Sequence, residues 1–497
     1  MEKVYKIHPK DNVAVAVDGL AKGETVDVQG EKIKALSDIP AGHKLAIRDI
    51  AQGENVSKYG FPIGTARENI ARGSWVHTHN VKSRLGKILD YAYEPEKAER
   101  EELKSDKKYE FLGYKRKDGS VGIRNEVWII PTVGCVNAIA RTIETRAQAY
   151  LTDRIDGIYA YSHPHGCSQL GDDQLHTQKI LTGLVKSPNA GAVLVLGLGC
   201  ENNQIELLKQ VIGDYDADRV KFLVCQEHED EVADGLAVVK ELCSYADQFK
   251  RTPQPASSLV LGLKCGGSDG FSGITANPLV GAVSNKLIAA GGTSILTEVP
   301  EMFGAETLLM NRCRNKEIFD KTVHLINDFK QYFMRYGEKV DENPSPGNKA
   351  GGITTLEDKS LGCVQKGGSS IVEDVLDYGD IAKEKGLLLL KAPGNDLVAA
   401  NALAAAGAHI VLFTTGRGTP FACPVPTIKI SSNSKLAGFK KNWIDFNAGP
   451  LVEGRSMEEL SEEFFQFVLD VASGKKQAKS EALDKHELAI FKDGVTL

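Results

Sequence analysis

The sequence lacks several features that would mark a particular class of protein. None of its apolar runs is long enough to cross a membrane, and residues 1–20 carry no apolar centre of a secretory signal. The formal net charge is −6, whereas proteins that bind nucleic acid present a positive face. We therefore expect a cytoplasmic protein that acts on neither membranes nor nucleic acid.

Common cofactor signatures are also missing. The nine cysteines contain no CxxC pair, which excludes a zinc ribbon, and their odd number argues against a disulfide framework. Walker A and HExxH patterns are absent. Gly197-Leu198-Gly199 resembles the start of a dinucleotide loop, but Asn202 stands where the third glycine belongs, and the next apolar run ends in Cys225-Gln226 without an acid. The sequence therefore predicts that no nucleotide is bound.

The length and the local patterns divide the chain into domains. A chain of 497 residues exceeds one ordinary core. Short alternating apolar segments separated by Gly and Pro predict a small β-rich domain over residues 1–93. Residues 94–110 contain twelve charged residues in seventeen and are expected to form a linker. Two α/β regions follow, a central domain over 111–250 and a carboxyl-terminal domain over 251–497.

The two α/β regions repeat a strand, a glycine-containing loop and a helix. This alternation predicts parallel sheets that bind ligands at the carboxyl ends of their strands. Helices are predicted at Leu170–Val185, Ile205–Ile212 and Leu397–Ala406. The predicted strands are Val127–Ile130, Gly157–Tyr161, Val193–Leu198, Lys221–Cys225, Leu259–Leu263, Ser294–Glu298, Leu387–Leu390 and Ile410–Thr414.

Chemically versatile side chains follow several of these strands. Thiolates, imidazole and carboxylates together suit zinc or iron, and an open coordination position makes such a metal a Lewis acid. Most single cysteines are small buried apolar residues, and we expect this of Cys225, Cys243 and Cys313. The candidates beside glycine or polar residues are Cys135, His163, Cys167, Cys200, Cys265, Glu298 and Glu301.

The glycine-rich stretch Lys264–Pro278 follows a buried strand and carries Ser268 and Asp269. Asn277-Pro278 is a helix-start signal, so backbone N–H groups there would face a carboxylate or phosphate. A purely structural turn is the alternative. Two later loops present the cations Lys349 and Arg417, and an arginine between glycines suits a bidentate clamp on a carboxylate. Ordinary surface charges are the alternative for both.

His77 and His79 close the amino-terminal domain. An extended strand would place both imidazoles on one face, where they would meet a metal or an anionic substrate, unless they are simple surface residues. A charged linker lets the domain move, so we expect it to dock over the site as a lid or clamp.

Several long motifs resemble the altronate and galactarate dehydratases of hexuronate and aldarate catabolism. The similarity covers essentially the whole chain, including an amino-terminal segment similar to the SAF, or β-clip, domain, and the GSWVHTHN segment is closest to the altronate branch. The motifs are GIRNEVWIIPTVGCVN (122–137), SHPHGCSQLGDD (162–173), GLGCENNQ (197–204), CGGSDGFSGITANP (265–278), LTEVPEMFGAE (296–306), ENPSPGNKAGGITTLEDKSLG (342–362) and TTGRGTP (414–420).

The resemblance implies a hydro-lyase that converts D-altronate to 2-dehydro-3-deoxy-D-gluconate, with galactarate or another sugar acid as the alternative substrate. It implies a divalent metal, Fe(II) with Mn(II) as the alternative, and a variant Rossmann-like last domain. We also expect a homodimer. A nicotinamide dehydrogenase and a non-catalytic carbohydrate-binding protein are the alternatives from other classes.

The residues expected to serve this reaction fall into three sets. The metal candidates are His163, Cys200, Cys265 and Glu298. The candidates for the general base or acid, among which the sequence does not choose, are His163, Asp269, Glu301 and Lys349. The candidates for substrate binding are Arg417, Ser268, His77 and His79.

Overall fold

The computed structural model describes residues 3–86, 88–95, 107–483 and 486–497. Most of the predicted linker, residues 96–106, lies outside the described part of the chain. No helix in the described ranges is long and apolar enough to cross a membrane.

The amino-terminal domain is built from short antiparallel strands, as predicted. They form a four-stranded sheet in the order β1-β2-β5-β8, a β3–β4 hairpin and a three-stranded sheet in the order β6-β7-β9. All four residues of β2 are buried because it lies between β1 and β5. The strands are β1 (Val4–Tyr5), β2 (Val13–Ala16), β3 (Thr25–Val28), β4 (Glu31–Lys34), β5 (Lys44–Ala46), β6 (Asn55–Lys58), β7 (Phe61–Ala66), β8 (Trp75–Val76) and β9 (Val81–Lys82).

The central region contains a parallel sheet in the order β13-β12-β14-β15. Its two inner strands are largely apolar and fully buried, as expected where helices cover both faces. A separate antiparallel sheet, β11-β10-β16, joins residues on either side of this region. The strands are β10 (Glu110–Lys115), β11 (Val121–Gly122), β12 (Glu126–Pro131), β13 (Gly157–Ala160), β14 (Ala190–Gly197), β15 (Val220–Val224) and β16 (Arg251–Pro255).

The carboxyl-terminal region is organised around a seven-stranded parallel sheet in the order β19-β20-β18-β17-β21-β22-β23. The mixed α/β fold class is therefore confirmed, and every strand predicted for the two α/β regions is present. The strands are β17 (Val260–Cys265), β18 (Thr293–Leu296), β19 (Val372–Leu376), β20 (Gly386–Leu390), β21 (Ile410–Thr415), β22 (Thr427–Ser431) and β23 (Phe446–Asn447).

Helices pack on both sides of the parallel sheets. Their bounds are α1 (Asn137–Ala147), α2 (Gly171–Lys186), α3 (Ile205–Ile212), α4 (Glu231–Ala246), α5 (Ala276–Ala289), α6 (Glu306–Met310), α7 (Lys316–Arg335), α8 (Pro346–Ala350), α9 (Leu356–Cys363), α10 (Asp396–Ala405), α11 (Ser434–Phe439), α12 (Met457–Ala472) and α13 (Lys479–Ala482).

Two local predictions were wrong. His77 and His79 lie in a turn between β8 and β9, because Asn80 accepts a hydrogen bond from the His77 N–H at 2.9 Å and donates one to the Trp75 carbonyl at 2.9 Å. Helix α5 begins at Ala276, so Asn277 is inside it. The Asn277 amide contacts Gly362 and Thr414 instead of capping the helix.

Candidate functional site

The site is positioned by the order of strands in the large sheet. β17 is the first strand of this sheet, and the chain continues to β18 on one side and later to β21 on the other. The loops after β17 and β21 therefore flank a crevice at the carboxyl edge, where open α/β sheets bind ligands. A Cβ on Gly267 would lie 3.6 Å from the Cβ of Arg417, so the two loops are in close contact.

Two cysteines and one glutamate meet beneath this crevice. Oε2 of Glu301 lies 3.0 Å from the Sγ of Cys265 and 3.1 Å from the Sγ of Cys363, and the two sulfurs are 3.4 Å apart. All three side chains are buried. In the part of the chain that the structure describes, they form the group of three potential ligands whose atoms lie within 4.8 Å of one another.

Helix α9 supplies both Cys363 and a lysine to this group. Lys359 and Cys363 are four residues apart and therefore share one helix face. Nζ of Lys359 is 2.7 Å from Oε1 of Glu301. Burial raises the pKa of Glu301, but Lys359 and Lys366 more than offset that effect and lower it to about 2. Glu301 is therefore a carboxylate at neutral pH.

Glu298 joins the same cluster through different partners. Its carboxylate accepts hydrogen bonds from Lys264 at 2.7 Å, from the Cys265 N–H at 2.8 Å and from Lys366 at 3.3 Å. Glu298 has a left-handed backbone with φ 70°, which is uncommon for a residue other than glycine and is found at functional sites. The predicted ligand Glu298 thus lies beside Cys265, with its oxygens directed at lysines and the backbone.

The charges of the cluster bear on whether a divalent metal fits. Lys264, Lys359 and Lys366 face Glu298, Glu301 and Asp396, so three ammonium groups offset three carboxylates. The Cys363 thiol has its pKa raised well above the usual range by its hydrogen bond with Cys265 and by burial. With both thiols protonated the cluster is neutral, and a divalent cation that displaces both protons keeps it neutral.

Two thiolates with one carboxylate are donors that suit Fe(II) and Zn(II). The residues Cys265, Glu301 and Cys363 therefore fit a divalent metal in number, type and charge. Metal binding would release protons, because both thiols must ionise.

A cavity of about 530 Å³ lies beside the loops that follow β17 and β21. Arg417 and Asp269 line it, together with Asp18 of the amino-terminal domain. Lys349 is half-buried on the one-turn helix α8, which lies where the sequence predicted a loop. The Oγ of Ser268 is buried and has no hydrogen-bond partner in the structure.

Asp269 serves chiefly to hold its own loop. Its carboxylate accepts hydrogen bonds from Ser272, from Ser432 at 2.8 Å and from Asn433 at 3.1 Å. Burial raises the pKa of Asp269 in spite of these bonds. The same carboxylate also accepts from the Phe271 N–H, so few of its lone pairs are free.

The amino-terminal domain docks on helix α9. Lys44 and Lys58 are fully buried, and their ammonium groups lie 2.8 and 3.1 Å from the carboxylate of Asp358, the residue before Lys359. His77 is buried near this contact, with Nδ1 3.3 Å from the Oγ1 of Thr354. Burial and then Lys44 lower the pKa of His77 to about 3, so its imidazole is neutral.

The remaining predicted residues lie elsewhere. His79 packs against Trp75, with ring centroids 5.2 Å apart. His163 and Cys200 belong to the central domain, where His163 contacts the Pro131 carbonyl at 2.8 Å and Cys200 contacts Gln226 at 3.4 Å. Neither is part of the Cys265, Glu301 and Cys363 group.

The sequence reasoning missed Cys363 and the three lysines. Cys265 and Cys363 are 98 residues apart, and no local pattern connects them. A signal was present in Asp358-Lys359-Ser360-Leu361-Gly362-Cys363, because a lysine and a cysteine four apart share a helix face.

Three protein families match consecutive parts of the chain. "Altronate/galactarate dehydratase SAF domain" matches residues 2–84, "D-galactarate dehydratase/Altronate hydrolase, second domain" matches 113–247, and "D-galactarate/Altronate dehydratase, C-terminal" matches 256–496. The small β-rich domain is thus of the SAF type.

Full-length relatives give the same result. The altronate dehydratase of Escherichia coli K12 is 53% identical over 494 residues, covering 99% of each chain. The altronate dehydratase of Bacillus subtilis 168 is 53% identical over 500 residues and covers 100% of each chain. The galactarate dehydratase (L-threo-forming) of E. coli K12 is 34% identical, covering 98% of this chain and 96% of the relative.

Proposed function

Since the chain belongs to the D-galactarate/altronate dehydratase family, we propose that it is a hydro-lyase that removes water from D-altronate to give 2-dehydro-3-deoxy-D-gluconate. The observation that carries this proposal is the identity of 53% over full length with two altronate dehydratases, against 34% with the galactarate enzyme. Cytoplasmic location and a homodimer stay predictions.

We place the catalytic centre at the carboxyl edge of the seven-stranded sheet. Dehydration of a 2,3-dihydroxy acid removes the C2 proton and the C3 hydroxyl, and negative charge develops on an enediolate. Buried Lys264, Lys359 and Lys366 are fixed cations in a poorly solvated region, where such charges stabilise a developing anion most effectively. They are already oriented by carboxylates and need little rearrangement during the reaction.

Cys265, Glu301 and Cys363 are the residues that we propose for a divalent metal, which supports Fe(II) as the cofactor and revises the ligand set predicted from the sequence. A metal bound there would act as a Lewis acid on a substrate oxygen. Soft thiol ligands favour Fe(II) over Mn(II).

Arg417 and Lys349 are proposed to bind the substrate carboxylate at the mouth of the crevice. Arg417 is exposed and follows β21, and its loop contacts the loop that begins at Cys265. The Ser268 hydroxyl, buried without a partner, is proposed to meet a substrate hydroxyl. Burial lowers the pKa of Lys359, but Glu301 and the two neighbouring cysteines together raise it by more, so Lys359 acts as a cation. Of the predicted candidates for the base, Asp269 lines the crevice, whereas His163 lies in the central domain.

The test is a substrate panel. Protein prepared without air and loaded with Fe(II) is incubated with hexonates and aldarates, and 2-keto-3-deoxy acids are measured. We expect altronate to give the highest kcat/KM. A higher kcat/KM for galactarate would move the protein to the other branch of the family, and binding of altronate without any keto acid would contradict an enzyme.

A further inference from the structure

The nine cysteines divide into two groups by exposure. Six are buried, whereas Cys135, Cys167 and Cys200 are exposed. These three follow β12, β13 and β14, which are adjacent strands of the parallel sheet in the central domain. Exposed thiols are prone to oxidation, so the placement of three of them at one sheet edge suggests a function.

Each of the three cysteines follows a glycine that allows its loop to approach a neighbour. A Cβ on Gly166 would lie 2.0 Å from the Thr132 carbonyl oxygen, and a Cβ on Gly134 would lie 2.9 Å from the His163 carbonyl oxygen. Gly199 has φ 127°, which other residues rarely adopt. Close packing between loops thus accounts for the glycines before Cys135 and Cys167, and the backbone conformation accounts for the glycine before Cys200.

Backbone hydrogen bonds join the same loops. The Gly134 N–H donates to the His165 carbonyl at 2.9 Å, and the Asn203 N–H donates to the Gly166 carbonyl at 3.0 Å. Buried Glu201 fixes the third loop by accepting from Thr132 Oγ1 at 2.5 Å and from the Gly199 N–H at 2.6 Å. The three loops that carry the thiols are therefore held together by hydrogen bonds.

Two of the thiols already accept hydrogen bonds. Gln226 Nε2 donates to the Sγ of Cys200 at 3.4 Å, and the Oγ of Ser168 donates to the Sγ of Cys167 at 3.8 Å. Ser168 itself has φ 61°, an uncommon conformation for serine. Hydrogen bonds to sulfur stabilise thiolates and tune the metals that they hold.

The spacing of the thiols decides between one metal ion and a cluster. Tetrahedral zinc with Zn–S bonds of about 2.3 Å needs sulfurs about 3.8 Å apart. Among the described residues, these three cysteines do not form a group whose ligand atoms all lie within 4.8 Å of one another, so at least two of their sulfurs are further apart than one zinc ion requires. A cluster of several irons holds its cysteines further apart than one ion does.

We propose that Cys135, Cys167 and Cys200 bind a four-iron, four-sulfide cluster at the carboxyl edge of the central sheet. The thiolates are ligands to three irons, and the fourth iron has no cysteine. Cys225, at the end of the next strand, is buried, whereas the three proposed ligands are exposed. This site is separate from the buried Cys265 and Cys363 and does not depend on the proposed reaction.

The experiment measures iron and acid-labile sulfide in the full chain, reconstituted with equal amounts of Fe(II) and Fe(III) and with sulfide under anaerobic conditions and then desalted. We expect about four sulfides per chain. The triple variant C135S/C167S/C200S should lose them. C225S, a buried neighbour, and C265S/C363S, the other thiol pair, should keep them, which also separates this result from the catalytic proposal.

A second readout needs no variant. Alkylation followed by mass spectrometry should label Cys135, Cys167 and Cys200 in the apoprotein and leave them unlabelled after reconstitution. Protein without labile sulfide after reconstitution, a triple variant with wild-type sulfide, or a single metal ion bound by the three thiols without sulfide would each overturn the proposal.

Discussion

Glu301 divides its two carboxylate oxygens between different partners. Oε1 faces Lys359, and Oε2 faces the thiols of Cys265 and Cys363. The ion pair fixes the carboxylate so that one oxygen always points at the sulfurs. Such support orients a metal ligand before the metal arrives.

Replacing Cys363 by serine should remove a soft ligand from this group. Loss of a group that only supports a metal ligand already costs about 10- to 100-fold in affinity or activity, so we expect at least that decrease in Fe(II) affinity and in kcat/KM. Iron content after desalting and the keto-acid assay measure the two effects. Cys313→Ser, at a buried cysteine bonded to Thr322, is the matched control and should keep both. Wild-type iron affinity in Cys363→Ser would remove this residue from the site.

Arg417→Lys tests the proposed carboxylate clamp. Lysine keeps the charge but loses the second hydrogen bond, which costs about 1.5–3 kcal/mol, or about 10- to 100-fold in kcat/KM. The free energy of unfolding should change by no more than about 0.5 kcal/mol, because the residue is exposed. Arg455→Lys, at an exposed arginine paired with Glu463, is the control. An unchanged kcat/KM for Arg417→Lys would exclude the clamp.

At the scale of elements, helix α9 connects two domains. Asp358 faces the amino-terminal domain, while Lys359 and Cys363 face the sheet. Thr355 caps the helix by accepting from the Asp358 N–H, so the first turn is well defined. A movement of the amino-terminal domain would therefore act directly on the cluster.

Asp358→Asn should be strongly destabilising. It leaves the ammonium groups of Lys44 and Lys58 buried without a counter-charge, and breaking a buried ion pair costs about 3–5 kcal/mol. Chemical denaturation measures the loss. Asp320→Asn removes an exposed helix pair with Lys316 and should cost less than about 0.5 kcal/mol. Equal effects of the two substitutions would contradict the docking role of Asp358.

Much of the secondary structure was predictable from the sequence, but contacts between side chains that are far apart in the sequence were not. Leu387–Leu390 and Ile410–Phe413 are short continuous apolar runs, which are typical of a buried strand. The turn at His77 depends on the Asn80 side chain, and the pairing of Cys265 with Cys363 depends on how α9 packs on the sheet. The hydrophobic periodicity of the sequence does not indicate either contact.

At the scale of the whole molecule, buried histidines make stability depend on pH. Burial lowers the pKa of His163 to about 4 and, with a smaller contribution from Lys385, that of His409 to about 4. Between about pH 6.5 and pH 4 the unfolded chain binds protons that the folded chain does not. The free energy of unfolding should therefore fall as the pH is lowered through this range.

His409→Gln tests this dependence. His409 joins Val121 and Val260 by hydrogen bonds, so the variant loses stability at every pH. The free energy of unfolding of the wild type falls between pH 7 and pH 5, and this fall should be about 2 kcal/mol smaller in the variant. Denaturant midpoints at the two pH values measure it, with His324→Gln at an exposed histidine as the control. An unchanged difference would show that His409 does not contribute.

The central claim is that this chain dehydrates altronate. The direct measurement uses Fe(II)-loaded protein with altronate that carries deuterium at C2, and follows both 2-keto-3-deoxy acid and the deuterium released to solvent. We expect the keto acid to form with loss of the C2 deuterium, and with a kcat/KM above that for galactarate. No keto acid from altronate, or an oxidised product that forms only when a nicotinamide nucleotide is added, would contradict the claim.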